Sequence, residues 1–418
     1  MNDRVDPALR SAARWPSSGV NRVPFDIYLD KELYASEQAM LFKGETWNFA
    51  GLELEIPAVG DYKTGWIGDT PIVLVRSADE GFSAFVNRCA HRGATLCFDK
   101  RGHRQHRFSC VYHNWTYDLE GNLKSVAFHK GVRGQGGLPE DFDYGEHNLR
   151  KLRVESIAGL LFVTASSSTP SLSDYLGEKM SAHIRRIFNR PVRILGTYSQ
   201  YMHNNWKLYM ENVKDSYHAS LLHLFFTTFR LNRLSMQGGL VLEGDGGHHI
   251  SFSKMATETG ATTEYDLEKL RAQNDQFALR DPRLLKSWPE FDDGITHAIQ
   301  GVFPNLVVQQ IQNSLALRLL VPRGPGECEL FWILFGYADD TAEQTEVRVA
   351  LSNLVGPAGL VSMEDGVIGN FVQRAIEPHA EGQTVLEMGG RGFESQDSRV
   401  SEASVRGFWN AYRKHMRI

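Results

Sequence analysis

Cysteine is scarce. The four in 418 residues, Cys89, Cys97, Cys110 and Cys328, are too few for the disulfide framework of a secreted protein, so each reads as a reduced core thiol or a metal ligand. An excess of charge of one sign is also missing: a formal net charge of -5 gives no general attraction to nucleic acid or to an anionic membrane. No apolar run is long enough to span a bilayer and no signal-peptide pattern is present, so a cytoplasmic location is expected. Glycine-rich phosphate loops are lacking too. Gly134–Gly137 and Gly244–Gly247 have no strand before and no helix after them, so they read as loops, and the chain is not expected to oxidise a nicotinamide cofactor itself. Internal repeats and low-complexity tracts are absent. What is present, with 42% hydrophobic and 11% aromatic residues, is ordinary globular composition over a length that allows two or three cores.

Residues 1–22 are polar with little periodicity and read as an arm, with ordered structure expected from about Phe25. Between Ile67 and Val163 short β-type runs (Ile72–Val75, Phe82–Val86, Phe108–Cys110, Leu160–Val163) alternate with turns such as Leu119–Asn122, which predicts a small all-β unit. The pattern then changes. Ser173–Phe188 is helical in style, Trp206–Phe229 is a long apolar-periodic stretch, and strands are expected at Val307–Ile311, Leu315–Val321 and Leu330–Tyr337. Helices with an antiparallel sheet make this second region α+β.

Two cysteines stand in the pairs Cys89-x-His91 and Cys110-x-x-His113, 18 residues apart, each just after a short strand pattern. Zinc knuckles use Cys-x2–4-Cys pairs, so that both sulfurs of one loop reach a single ion. Here each loop offers one sulfur and one imidazole, which suits a two-iron, two-sulfide cluster with one iron held by the cysteines and the other by the histidines. Zinc and unligated core residues are the alternatives. Cys97 and Cys328 have no such partners and read as buried thiols. The basic tip Lys100–Arg107 is a candidate docking knob for an acidic electron donor of the ferredoxin kind, while its His103 and His106 read as solvated loop residues.

A second constellation lies in Asn205–His223, where Asp215, His218 and His223 interrupt an apolar helical pattern. Burying such groups needs a reason. Asp215 and His218 share a helix face at i, i+3. His218 and His223 are separated by about 140° of rotation on an ideal helix, so a shared ion requires a loosened or broken turn. Two imidazoles and a carboxylate form the facial triad of non-haem iron oxygenases, with positions left open for dioxygen. The candidate carboxylate is Asp365, in the apolar, glycine-flanked segment Gly356–Gly366, with Glu364 as runner-up and a helix-capping acidic pair as the structural alternative. Arg318, in the alternating run Leu315–Leu320, is placed to clamp a substrate carboxylate or to sit in an internal ion pair or at the surface.

Asn87-Arg88-Cys89-Ala90-His91-Arg92-Gly93, Cys110-Val111-Tyr112-His113-Asn114-Trp115 and Asp215-Ser216-Tyr217-His218-x4-His223 resemble the α subunits of Rieske ring-hydroxylating oxygenases. The similarity runs from about Val23 to the C-terminus. It is nearest the terephthalate, salicylate 5-hydroxylase, anthranilate and ortho-halobenzoate branch, notably in Asn212–His223 and Val405–Trp409. The resemblance implies an all-β Rieske [2Fe-2S] domain at 45–165 inserted in a helix-grip catalytic domain, made of 1–44 and 166–418. It assigns Cys89, His91, Cys110 and His113 to the cluster, and His218, His223 and Asp365 to a mononuclear Fe(II). Asp215 becomes the link between the two centres across a subunit boundary. The implied activity is O2-dependent hydroxylation of a small aromatic acid, giving either a dihydroxylated or a monohydroxylated ring. The implied partners are a small β subunit in an α3β3 assembly, a ferredoxin and an NAD(P)H reductase. A pure Rieske electron carrier would account for the first constellation but not the second.

Overall fold

The computed structural model describes residues 15, 19–78, 81–255, 278–280 and 282–418. Most of the expected arm lies outside these residues. Trp15, inside them, is buried, with its ring 5.5 Å from that of Trp409.

By its contacts the chain divides into Phe42–Tyr175, the inner unit in sequence order, and an outer unit made of the flanking segments, up to Leu41 and Leu176–Ile418. The division falls beyond residue 165 because the last hairpin of the inner unit holds the segment after it: Arg153 Nη1 donates to Thr169 O (2.6 Å) and Leu172 N to Glu155 Oε2 (2.8 Å).

In the inner unit, β1 (Asn48–Leu52), β2 (Tyr62–Ile67), β3 (Thr70–Ala78), β4 (Gly81–Val86), β5 (Arg101–Gly102), β9 (Lys151–Ile157) and β10 (Leu160–Thr164) form a seven-stranded antiparallel sheet in the order β1-β10-β9-β4-β3-β2-β5. The short β6 (Phe108–Ser109), β7 (Thr116–Tyr117) and β8 (Leu123–Ser125) make a three-stranded sheet. Val73, Val75, Phe85, Phe108 and Tyr117 form a core that also encloses Cys89 and Cys110.

The outer unit is built on a second antiparallel sheet. Its strands are β11 (Val192–Met202), β12 (Gly238–Glu243), β13 (His248–Lys254), β14 (Ile295–Val302), β15 (Leu306–Ile311), β16 (Ser314–Gly324) and β17 (Glu327–Tyr337), in the order β11-β17-β16-β15-β14-β13-β12. Helix α1 (Trp206–Lys214) packs on β14 and β16 and against α4 (Leu360–Ile376) and α5 (Ala403–Met416). The fold is therefore α+β, as the patterns predict. Among the described residues no helix is long and apolar enough to cross a membrane.

The polar residues of α1, buried at Lys207 and Lys214 and half-buried at Glu211 and Asn212, are tolerated because each has partners. Glu37 accepts from Trp206 Nε1 (2.7 Å), Lys207 Nζ (2.5 Å) and Tyr412 OH (2.6 Å). Glu211 accepts from Tyr28 OH (2.9 Å) and Trp409 Nε1 (2.5 Å), and burial pushes its carboxyl up to about 7.

The apolar-periodic stretch Trp206–Phe229 is three helical pieces, broken as a shared ion between His218 and His223 requires. Helix α1 stops at Lys214, and α2 (Ala219–Leu222) and α3 (Leu224–Thr228) are short, with Asp215 extended at φ -82°, ψ 103°. The break has a local cause. Asp215 Oδ1 accepts from Tyr217 N (2.8 Å) and His218 N (3.3 Å), which offers those donors an alternative to helical carbonyls.

Candidate active site

The inner unit carries two matching loops. Cys89 N donates to Ala94 O (2.8 Å) and Gly93 N to Cys89 O (3.0 Å), while Cys110 N donates to Trp115 O (2.8 Å) and Asn114 N to Cys110 O (2.9 Å). The fourth residue after each cysteine is left-handed, Gly93 at φ 77° and Asn114 at φ 54°, a conformation these two residue types adopt with least strain. Both sulfurs are buried, His91 is exposed and His113 half-buried, and the two imidazoles are 4.6 Å apart between centroids. His91 stacks on Trp115 at 4.6 Å. Tyr117 OH lies 3.3 Å from Cys89 Sγ. Burial, with Tyr117 opposing and Cys110 reinforcing it, pushes the Cys89 thiol up, so a thiolate there needs a metal to stabilise it. No three of these four ligand atoms gather within 4.8 Å of one another, as a single tetrahedral zinc would require. Sulfurs inside and imidazoles outside fit a two-iron cluster instead. Cys97 and Cys328 are free, buried thiols, and burial pushes Cys97 up to about 12. In the basic tip, His103 is exposed 3.4 Å from Asp61, and Arg101 pairs with Glu55 (2.5 Å).

In the outer unit His218, His223 and Asp365 come together. One ligand atom from each lies within 4.8 Å of the others, and this is the one such group among the described residues. Asp365 Oδ1 is 3.4 Å from His218 Nε2 and 3.3 Å from His223 Nε2. His218 immediately precedes α2 and His223 sits in the break between α2 and α3, so the interrupted helix lets residues five apart face one point. The far nitrogens are backed by acids. His223 Nδ1 donates to Glu364 Oε2 at 2.7 Å. His218 Nδ1 lies 3.4 Å from Asp215 Oδ2, a charge-pair distance without hydrogen-bond alignment. Asn212 Nδ2 donates to Asp365 Oδ1 (3.3 Å).

Burial alone would depress the imidazoles, yet Asp215 and Asp365 push His218 up to about 10, and Asp365 and Glu364 raise His223. The two imidazoles in turn hold the buried Asp365 carboxyl well below the usual range. Positive charge is wanted at this point, and a divalent ion supplies it in place of two protons.

Two cavities meet here, and Asn212, Asp215 and His218 line both. The larger, about 650 Å³, has no lysine or arginine among the described residues of its wall, which includes Glu211, Asp215 and Glu402. The other holds the complete triad, an apolar wall of Phe226, Ile299, Ile311 and Val361, and two guanidinium groups, Arg318 and Arg399. Arg318 donates to Tyr209 OH (2.7 Å) and Gln309 Oε1 (2.5 Å), lies 4.8 Å from the Trp332 ring, and is buried with no carboxylate within 4.0 Å among the described residues. Neither the internal ion pair nor the surface position therefore describes it. Arg399 donates to Asn232 Oδ1 (2.6 Å) and to Arg233 O. The sequence reading does not single out Arg399, and nothing in its polar neighbourhood Gln396–Glu402 marks it from an ordinary loop arginine. The roles of Asn212 and Glu364 behind the triad also emerge only from the fold.

Residues 191–418 match the family described as ring hydroxylating alpha subunit (catalytic domain), and residues 46–134 match the Rieske [2Fe-2S] domain. The chain is 51% identical over 407 residues to the terephthalate 1,2-dioxygenase terminal oxygenase component subunit alpha 2 of Comamonas sp, covering 97% of this chain and 98% of the relative. It is 44% identical to the anthranilate 1,2-dioxygenase large subunit of Burkholderia cepacia, over 97% and 96% of the two chains. It is 36% identical to the salicylate 5-hydroxylase large oxygenase component of Ralstonia sp, over 99% and 98%. Naphthalene 1,2-dioxygenase from Rhodococcus sp. has the same fold, with a TM-score of 0.78 at 23% identity over 94% of each chain.

Proposed function

The chain belongs to the ring hydroxylating alpha subunits of the Rieske oxygenases, and from this we propose that it is the large subunit of a terminal oxygenase that hydroxylates an aromatic carboxylate. Electrons would come singly from a ferredoxin and an NAD(P)H reductase, and a small β subunit would complete an α3β3 assembly. The observation that carries the reading is one cavity that joins a two-histidine, one-carboxylate triad to an apolar wall and two buried guanidinium groups. The relatives named for terephthalate, anthranilate and salicylate support the acid substrate.

The family's two metal groups fit the residues present. Cys89, Cys110, His91 and His113 would hold the [2Fe-2S] cluster, and His218, His223 and Asp365 the mononuclear Fe(II). When bound, these groups relay single electrons and activate dioxygen beside the ring. The chain's own residues do the rest. Glu364 fixes the orientation of His223 by a hydrogen bond to its far nitrogen, and Asp215 places negative charge beside the far nitrogen of His218. Phe226, Ile299, Ile311 and Val361 hold the ring and exclude water, and Arg318 and Arg399 neutralise and orient the carboxylate. Asp215 would also accept a hydrogen bond from a cluster histidine of a neighbouring subunit.

The test is oxygen uptake and product formation by the holoenzyme with its donors, comparing substituted benzoates with toluene. Benzoates should turn over and toluene should not, and Arg318→Leu should weaken carboxylate binding by about 2–5 kcal/mol. Turnover indifferent to the carboxylate would overturn the proposal.

A further inference from the structure

Three adjacent strands place a row of residues on one face, two of them in the triad-bearing cavity. Gly238 of β12 pairs with Ser253 of β13, and Ser253 pairs with His297 of β14. Residues paired across strands project from the same face, so Ser253 and His297 stand side by side. Both line the cavity. Ser253 Oγ and His297 Nε2 are buried and make no hydrogen bond among the described residues. Arg399 lies over the same row: a Cβ built on Gly238 would stand 3.1 Å from Arg399 Nε, and it would also strike Phe252 O at 2.2 Å. The Phe252 carbonyl therefore requires glycine here, and the arginine crosses where no side chain stands.

The imidazole is tied to the metal site through one ring. His297 packs edge-on to Phe226 at 5.5 Å, and Phe226 packs on His223 at 5.9 Å. Thr296 Oγ1 lies 3.2 Å from His297 Nδ1. With that hydroxyl donating, the ring proton sits on Nε2, the nitrogen without a partner. Burial and the charge of Arg399 push His297 down to about 3, so it faces the cavity as a neutral donor.

Buried donors left without partners are costly, and two of them beside a guanidinium suit an anionic oxygen. Building on the aromatic-acid reading above, we propose that Ser253 and His297 complete the seat of the substrate carboxylate, each donating a neutral hydrogen bond beside Arg399. They are specificity-determining residues: the arginine supplies charge, and the serine and histidine fix which oxygen it holds and how far the ring stands from the triad.

The experiment is calorimetric binding to the oxidised, iron-loaded holoenzyme, using benzoate, terephthalate and 2-aminobenzoate as probes and benzamide as the uncharged counterpart. Ser253→Ala and His297→Phe should each weaken the carboxylates by about 10- to 100-fold, the effect of removing a hydrogen bond to a charged group, with benzamide weakened less. His297→Gln, which keeps a neutral donor, should recover part of the loss. Cluster absorption and iron content equal to wild type show that a variant is folded, and Ser253→Ala still decides the matter if His297→Phe is not. Variants that bind the carboxylates as wild type does, or that lose acid and amide equally, would overturn the proposal. A wild-type enzyme that binds none of the acids would instead overturn the aromatic-acid reading itself.

Discussion

At the scale of single residues, the adjacent acids Glu364 and Asp365 show what a sequence can and cannot resolve. Both lie in an apolar segment, and the pattern nominates either as ligand. One step of about 100° around α4 separates their roles, putting Asp365 between the two imidazoles and Glu364 behind His223. Asp365→Asn should therefore lose the mononuclear iron. Glu364→Gln should keep it with about 10- to 100-fold weaker affinity, as for other groups that orient a metal-bound histidine, measured by chelator competition with the cluster spectrum as control. Equal losses in the two variants would contradict the assignment. The same cluster of charges sets a pH dependence. In the metal-free protein Asp215 and Asp365 push His218 up to about 10, above its ordinary value of about 6.5 in an unfolded chain. A raised histidine stabilises the metal-free fold fully below about pH 6.5 and loses that contribution as pH rises toward its folded value. Ferrous ion must displace these protons, so anaerobic iron affinity should rise between about pH 6.5 and 8.5, by up to about tenfold per pH unit for each proton released. Affinity that is flat across this window would mean that the imidazoles are already neutral.

At the scale of elements, the strands were the legible part. Short apolar and aromatic runs at Phe82–Val86, Leu160–Val163 and Leu330–Tyr337 report burial, and burial decides the sheet. The five-residue spacing of His218 and His223 calls for a broken turn, but where the helix breaks was not legible, because an apolar period of 3.6 continues across Trp206–Phe229 whether or not the backbone does. What ends α1 is a side chain competing for two backbone donors, a local bond that periodicity does not record. The same blindness made Asp215 and His218 look like neighbours on one helix face, whereas they meet across a break. The cluster loops lie between these cases. Their ligand types can be read directly, but their common hydrogen-bond pattern and the left-handed residue in each require the backbone. That pattern makes a prediction. Asn114 at φ 54° should tolerate glycine, so Asn114→Gly should retain cluster absorption per chain. Asn114→Val forces a β-branched residue into a left-handed conformation at a cost of at least about 1–2 kcal/mol, and should lower cluster content and melting temperature. Full cluster occupancy in the valine variant would show that the loop has other ways to close.

At the scale of the whole molecule, the two ligand sets belong to separate contact units, and the open question is which cluster serves which triad. Asp215 offers a physical argument. One of its oxygens accepts from Tyr217 N and His218 N, and the other stands 3.4 Å from His218 Nδ1. The carboxylate also lines a cavity of about 650 Å³ whose charged wall is acidic, through Glu211 and Glu402. An acidic cavity with an acceptor in its wall suits an incoming imidazole donor, and in the proposed three-fold assembly that donor is a cluster histidine of the next subunit. Electrons would then pass between chains, a consequence that subunit mixing can test. A chain with Cys110→Ser should lack the cluster and keep its iron, and a chain with His218→Ala should keep the cluster and lack its iron, so each assembled alone should be inactive. In a closed ring of three that contains both kinds of chain, one iron-bearing chain is followed by a cluster-bearing neighbour. Activity of the mixed oligomers should thus return to about a third of wild type if each triad is fed by one neighbour around the ring. Two affinity tags purify the mixed species and oxygen uptake coupled to product reads the result. Mixed oligomers as inactive as their parents, with iron and cluster present in the expected amounts, would place electron transfer within a single chain and leave Asp215 a structural acid beside His218.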